Sequence, residues 1–312
     1  MSDRLGVGVV GAGRVGAVLG NALRAVGHAV VGASGVSDAS RDRIETLLPG
    51  VPVLEVPDVL ERAELVLLTV PDDALADLVA GLARLGRWQP GQIVVHTAGA
   101  FGTDVLAPAR DCGAIPLAVH PAMTFTGTSV DLARLAGCVF AVTGPTPVLP
   151  IGQALVVELG GDPVVVAEDA RPLYHAALAH GANHLVVLVA QAAHALAAAG
   201  VPAPDRVLGP LLEAALDGAV RTAATVSTQD PAASSGVAAL TGPVVRGDAG
   251  SVARHLAELT ALVGREPATA DLPASYRALA RAAVTRALAG GRIRPDQAQA
   301  VLDVLAGPEG SR

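Results

Sequence analysis

Residues 11–16 read Gly-Ala-Gly-Arg-Val-Gly directly after the apolar run Leu5–Val10. That spacing can hold a diphosphate. Gly11 permits a tight turn, Gly13 lets backbone N–H groups approach an anion, and Gly16 lets the next helix pack close to the strand. Gly11, Ala12, Gly13, Arg14, Val15 and Gly16 are therefore candidate cofactor-binding residues. Further on, His96-Thr97-Ala98-Gly99-Ala100 and His120-Pro121-Ala122-Met123-Thr124 each end an apolar run. An imidazole titrates near neutrality and can supply the proton that accompanies hydride transfer to a carbonyl. Either His96 or His120 can do so, pointing from one sheet edge; either can equally order a loop by hydrogen bonding. Val70-Pro71-Asp72-Asp73 ends another run. Asp72 or Asp73 suits a helix cap, and Val70, Pro71 and Asp72 are expected along the nucleotide crevice.

The end of the second strand bears on which nucleotide. A ribose-binding acid is expected about 20 residues beyond the glycine motif, but Val31-Gly32-Ala33-Ser34 has none, and the next acid is Asp38. Ser34, Ser37, Arg41 and Arg43 stand there instead. Hydroxyls with guanidinium groups suit a 2′-phosphate, so NADP(H) is expected over NAD(H), with NAD(H) still possible. The competing reading makes Arg41 and Arg43 a solvated helix face.

These residues need elements to position them. Short β-branched runs alternate with amphipathic stretches in the first half, the pattern of a parallel α/β sheet. Strands are predicted at Leu5–Val10, Ala29–Ala33, Leu65–Val70, Ile93–His96, Ile115–Val119, Cys138–Val142 and Val164–Val166, with helices at Val15–Val26, Asp73–Leu85 and Pro147–Leu159. Beyond Val166 the strand pattern stops, and helices are predicted at 169–200, 205–226, 249–263, 271–289 and 295–306. The fold class expected is α/β, a Rossmann doubly wound parallel sheet over residues 1–167 followed by an all-helical domain over 168–312.

Composition closes off several functions. Of 312 residues, 51% are hydrophobic and 16% charged, which suits a large core and excludes a disordered chain. A net charge of −7 argues against a nucleic-acid surface. The chain has no lysine, so lysine bases, Schiff bases and P-loop lysines are excluded. Cys112 and Cys138 fit no ligand or disulfide pattern, and a cytoplasmic setting is expected. The stretch between Pro172 and Pro204 lacks Asp, Glu and Arg but contains His175, His180, Asn183, His184, Gln191 and His194. Its longest apolar run, Leu185–Ala190, is far short of the roughly 20 residues of a membrane span. No membrane partner is expected, and the stretch reads as a buried helix. Its apolar length exceeds what one small helical domain covers, so two copies are expected to pack there as a homodimer.

The order of the glycine motif, Val-Pro-Asp-Asp, His-Thr-Ala-Gly-Ala and His-Pro-Ala-Met-Thr-Phe, followed by a helical region, resembles a bacterial family of oxidoreductases. That family joins a Rossmann-like domain to a C-terminal domain of unknown function. It lies within the 6-phosphogluconate dehydrogenase-like group, with pyrroline-5-carboxylate reductase, ketopantoate reductase and prephenate dehydrogenase as relatives. The resemblance implies NAD(P)-dependent hydride transfer on a small metabolite and a dimer. His120-Pro121-Ala122-Met123 looks like the His-Pro-Met element of prephenate dehydrogenases, which favours His120 as acid–base. By the same resemblance Asn183 is a substrate or cofactor contact, and His180 stands where other members carry a polar catalytic group. Where hydroxyacid-dehydrogenase and ketopantoate-reductase relatives use a lysine, this chain has none.

His180 and His184 are four apart, but Gly181 replaces the glutamate of a zinc-protease motif, and no metal is expected. In Leu240-Thr241-Gly242-Pro243-Val244-Val245-Arg246-Gly247-Asp248, also within the resemblance, Arg246 can clamp a carboxylate and Thr241 sits on the preceding turn. Arg246 can instead pair with Asp248, which is placed to cap the next helix. The function expected is an NADP-dependent oxidoreductase acting on a small carboxylated oxo, imino or hydroxy compound, first a ketopantoate-like one, then a pyrroline or prephenate type. An NADP(H)-binding regulator without turnover and a deazaflavin-assisted reaction are the alternatives.

Overall fold

Apolar runs of four to seven residues become strands, buried between helices on both faces at the centre of the sheet and open to solvent along the edge run Asp162–Val165. The computed structural model describes residues 4–223 and 238–307. The chain begins β1 (Gly6–Val10), α1 (Arg14–Ala25), β2 (Ala29–Ser34), α2 (Asp38–Leu47), α3 (Val56–Arg62), β3 (Leu65–Leu68) and α4 (Asp72–Arg84). It continues through β4 (Ile93–His96), α5 (Ala107–Asp111), β5 (Ile115–Pro121), α6 (Val130–Leu135), β6 (Val139–Thr143), α7 (Leu149–Glu158) and β7 (Asp162–Val165). The helices α8 (Arg171–Ala198), α9 (Pro204–Ala223), α10 (Ala249–Arg265), α11 (Leu272–Ala289) and α12 (Pro295–Ala306) follow. The polar cluster Ser227–Gly236 and the end of the helix predicted over 205–226 lie outside the described residues.

The sheet order is β2-β1-β3-β4-β5-β6-β7. All neighbours run parallel except β5 and β6, where Ala118 faces Thr143 in antiparallel register. The expected Rossmann doubly wound sheet is thus present and mostly parallel, with one departure: the connection between β5 and β6 carries only the short α6 and makes no crossover. Alternation sorts the strands into two cores. Val7, Val9, Leu65, Leu67, Val95 and Leu117 join one, with α1 residues. Val10, Val66, Leu68 and Val94 join the other, with Leu75 and Val79 of α4. β3 ends at Leu68, short of the predicted Val70.

Two compact units divide the chain at Gly181/Ala182, inside α8. In the second unit Val252, Leu256, Val284, Val301 and Leu305 form the core of α10, α11 and α12. The expectation that α8 is buried is corrected. Val186 is 69% and Val187 47% exposed, and Leu211 and Val220 of α9 are likewise open. By length and composition the helix over Glu168–Ala198 could cross a bilayer. Its apolar residues lie all round the helix, so one neighbouring layer cannot cover them.

Candidate active site

The turn from β1 into α1 is built as the glycine spacing predicts. Gly11 has φ +85, a conformation open to glycine at no steric cost. Its N–H donates to Ser34 Oγ at 3.2 Å, and Thr69 Oγ1 donates to its carbonyl at 2.7 Å. β1 lies between β2 and β3, the point where strand order reverses and ligands bind in such sheets. At Gly16 a Cβ would overlap Thr69 Oγ1 and stand 2.6 Å from Gly11 O, so only glycine lets α1 sit this close. At Gly13 the nearest atom would be 3.9 Å away; that face is open. The α1 N-terminus has no side-chain cap and no acid in its first turn, leaving the N–H groups of Arg14, Val15 and Gly16 without helical partners. A dinucleotide diphosphate fits this cradle in charge and in space. Val70 packs against Gly11. Asp72 and Asp73 do not cap α4: its N-cap is Pro71, and the two acids lie in the first turn, where the helix dipole favours them without a capping bond.

Beside the end of β2, a cavity of about 460 Å³ is lined by Ser34, Val36, Arg41, Glu55 and Asp58 among others. Of the residues expected at a 2′-phosphate, Arg41 opens on it while pairing with Asp38 at 3.2 Å. Ser34 lines the cavity too; its Oγ accepts from Gly11 N–H and keeps its own O–H to donate. Ser37 caps α2, accepting from Ser40 N–H. Arg43 donates to Ala39 O and, with Arg14, packs on Gly127. That loop is held by Asp131, which sequence reasoning missed. Its fully buried carboxylate accepts from the Thr126 and Gly127 N–H groups at 2.8 Å each. Burial opposes its ionisation, but these bonds hold the carboxyl below the ordinary aspartate range.

The two sheet-edge histidines part company, which corrects the expectation that both point into the crevice. His96 is fully buried. Its Nε2 bonds Gly102 O at 2.7 Å and its Nδ1 accepts from Ala98 N–H at 3.2 Å, so it has no nitrogen left for a substrate. Burial pushes its pKa from 6.5 to about 4, helped by Arg171 and opposed by the Gly102 carbonyl and Glu168. His120 is only partly buried, and its Nδ1 meets Tyr174 Oη at 3.0 Å. Burial again brings it to about 4, with Arg171, His175 and His96 pressing the same way. It is a neutral imidazole at physiological pH.

Around it stand residues that sequence reasoning passed over or left without a role. Arg171, fully buried, donates from Nε to Thr143 Oγ1 at 2.7 Å and from one terminal nitrogen to Ala118 O at 2.9 Å and Ala141 O at 3.0 Å. Glu168 accepts from Thr103 N–H at 2.7 Å and Asp104 N–H at 3.1 Å, tying the loop after β4 to the start of α8. Tyr174 and His175 pack edge-on to His120, with ring centres 5.5 Å and 6.0 Å away. The signal available was the Arg-Pro-Leu-Tyr-His run opening an otherwise uncharged helix; its meeting with His120 depends on residues about 50 positions apart.

The remaining candidates lie elsewhere. His180, Asn183 and His184 are exposed on α8, and no group of three metal-ligating side chains occurs among the described residues. Within the second unit, Thr241 lines a cavity of about 430 Å³ with Leu188, His255, Tyr276 and Leu279. Arg246 is exposed and makes no ion pair with Asp248, which instead caps α10 by accepting from Ser251 N–H at 2.9 Å.

Fold and site define a dinucleotide-cradle α/β domain followed by a helical domain. The model of a Rossmann-like domain matches residues 1–121, and the model of a domain of unknown function, DUF2520, matches residues 138–283. No curated protein matches the sequence. Among solved structures the chain is similar to BF3122 of Bacteroides fragilis, assigned as an NADP oxidoreductase, with 22% identity over 90% of this chain and 98% of that one, TM-score 0.66. An imine reductase from Pseudomonas sp. is 17% identical over 96% and 98% of the two chains, TM-score 0.63. A reductive aminase from Aspergillus terreus, in complex with NADPH and ethyl levulinate, is 16% identical over 96% and 98%, TM-score 0.61. At these identities the likeness is one of fold.

Proposed function

We propose that this protein is an NADP-dependent oxidoreductase acting on a small carboxylated oxo, imino or hydroxy compound. The observation that carries the reading is the uncapped α1 N-terminus at the sheet's reversal point, with Gly13 open above it. When bound, the nicotinamide supplies or accepts the hydride. The chain's own residues do the rest. The backbone N–H groups at 14–16 hold the diphosphate, Gly11 and Thr69 set the turn, and Val70, Pro71 and Asp72 border the crevice. His120 handles the proton, and His96 orders the loop through Gly102. His180, Asn183, Thr241 and Arg246 are the residues we assign to substrate contact. The fold neighbours named as imine reductase and reductive aminase support including cyclic imines beside 2-oxo acids in the assay. NADPH oxidation across that panel is expected for at least one compound; none at all would end the reading.

Arg41 at the β2 cavity supports NADP(H) as the preferred cofactor, with NAD(H) as the weaker ligand. Arg41→Ala is expected to weaken NADPH about tenfold, the size of one charge-assisted bond, and to leave NADH unchanged. Equal losses for both in a fluorescence titration would refute the preference.

The working form we propose is a homodimer through α8 and α9. After Arg171, α8 carries no Asp, Glu or Arg, so a second copy can cover Val186 and Val187 without desolvating an ion pair. Light scattering should give twice the chain mass, and Val186→Arg should give the monomer. A monomeric wild type, or one that partitions into phosphatidylcholine vesicles, would overturn this.

A further inference from the structure

Three features around His120 have no use in the bonding described so far. His175 Nδ1 is buried with no hydrogen-bond partner. A Cβ at Gly99 would overlap that nitrogen and come within 3.0 Å of His120 Nε2, so the bare α-carbon lets both imidazoles close in, with His175 Nδ1 shut off from solvent and His120 only partly buried. Arg171 is a fully buried cation whose hydrogen-bond partners are all neutral, and its second terminal nitrogen has none. Its guanidinium carbon lies 5.9 Å from the centre of the Tyr174 ring. The Glu168 carboxylate steadies this cation through space, and a cation so placed also steadies a negative charge that appears beside it during the reaction.

We propose that Tyr174 feeds a proton through His120 Nε2 to the reacting carbonyl oxygen of an oxo substrate. This rests on the oxidoreductase reading. Of the two groups 3.0 Å apart, the phenol, with an ordinary pKa of about 10, is the stronger donor. The Tyr174 O–H therefore points at Nδ1, and the His120 proton sits on Nε2, away from the phenol. A neutral imidazole N–H polarises a carbonyl, whose oxygen has a lone pair to accept it. A protonated imine nitrogen has none, so this donor selects oxo compounds.

The carbonyl carbon accepts a hydride from the reduced nicotinamide, and the C=O π pair moves to oxygen. The oxygen takes the proton from Nε2 as Nδ1 takes the proton from Tyr174 Oη. His120 is neutral before and after, its proton moved to Nδ1, and the negative charge ends on the phenolate beside Arg171; the reset takes a proton from water at Nε2 as Nδ1 returns its proton to the phenolate. The charged and titratable groups around the pair are Arg171, Cys138, His96 and His175. Burial raises the Tyr174 pKa, partly offset by Arg171, so the phenol keeps its proton through the neutral range and the reductive rate falls only at alkaline pH.

The test needs no known substrate to begin. Nitrogen-15 spectra of the full-length protein with NADP⁺ should show His120 neutral at pH 7 with its proton on Nε2, and Tyr174→Phe should move the Nδ1 resonance towards that of a free imidazole nitrogen. A proton on Nδ1, or no response to Tyr174→Phe, overturns the relay. With the 2-oxo acid that turns over, Tyr174→Phe should lower kcat about 100-fold at a KM within about twofold and remove the alkaline limb of the pH profile. An unchanged kcat, or turnover confined to imines, overturns the proposal while NADPH binding still stands. Absence of NADPH binding is a separate result, which removes the oxidoreductase reading itself.

Discussion

Alanine at position 16 is expected to weaken NADPH binding about 100-fold, close to 3 kcal/mol. The added methyl would overlap Thr69 Oγ1, stand 2.6 Å from the Gly11 carbonyl oxygen and 3.2 Å from Val9 Cγ1. Relief is hard to find. The Gly11 oxygen is backbone, held by the Thr69 hydroxyl at 2.7 Å, and Val9 is fully buried in the sheet. α1 must therefore back away from the β1 turn, taking the N–H groups of Arg14 and Val15 off the diphosphate. Overpacking of this kind also costs about 1–3 kcal/mol of stability. Adding Thr69→Ala removes only one of the obstacles, so the double variant should recover little affinity. Fluorescence titration with NADPH and a melting curve check both halves; wild-type affinity in Gly16→Ala would mean the cradle is not where the nucleotide binds.

Acid should loosen the protein in a window set by His96. The folded protein holds this imidazole neutral down to about pH 4, against an ordinary 6.5. Between those values the unfolded chain takes up a proton that the folded chain refuses. The contribution of the neutral buried ring is therefore intact above pH 6.5, is lost progressively on acidification, and is gone below about 4. The loss amounts to roughly 3 kcal/mol over the window. His120 is depressed to about the same value by the same chief cause, burial, and steepens the slope. His96→Gln keeps a donor for Gly102 O without the titration and should flatten the curve by nearly one proton. Denaturant midpoints measured from pH 7 to 4 decide it: a flat wild-type profile would show that the ring finds a counter-ion or opens to water.

Local pattern alone determined a good deal here. The glycine spacing of 11–16 made the tight strand-to-helix turn legible, because the positive φ of Gly11 and the approach of Gly16 to the Gly11 oxygen arise within the motif; the pressure from Thr69 and Val70 came from the end of a strand more than 50 residues away. The change from β-branched runs to long Ala- and Leu-rich stretches located the end of the sheet within a few residues, since both periodicities are properties of the local chain. Position at a strand end was legible for His96 and His120 alike. Only the tertiary structure separated them, because burial and ring-nitrogen partners depend on how the loop at Gly102 and the start of α8 close over the edge. The antiparallel turn of β6 and the exposure of α8 were likewise decided by packing. The grouping of Arg171, Tyr174 and His175 around His120 joins segments some 50 residues apart in sequence, and no spacing rule reaches that far: the side chains meet because the sheet carries β5 and the head of α8 to the same end.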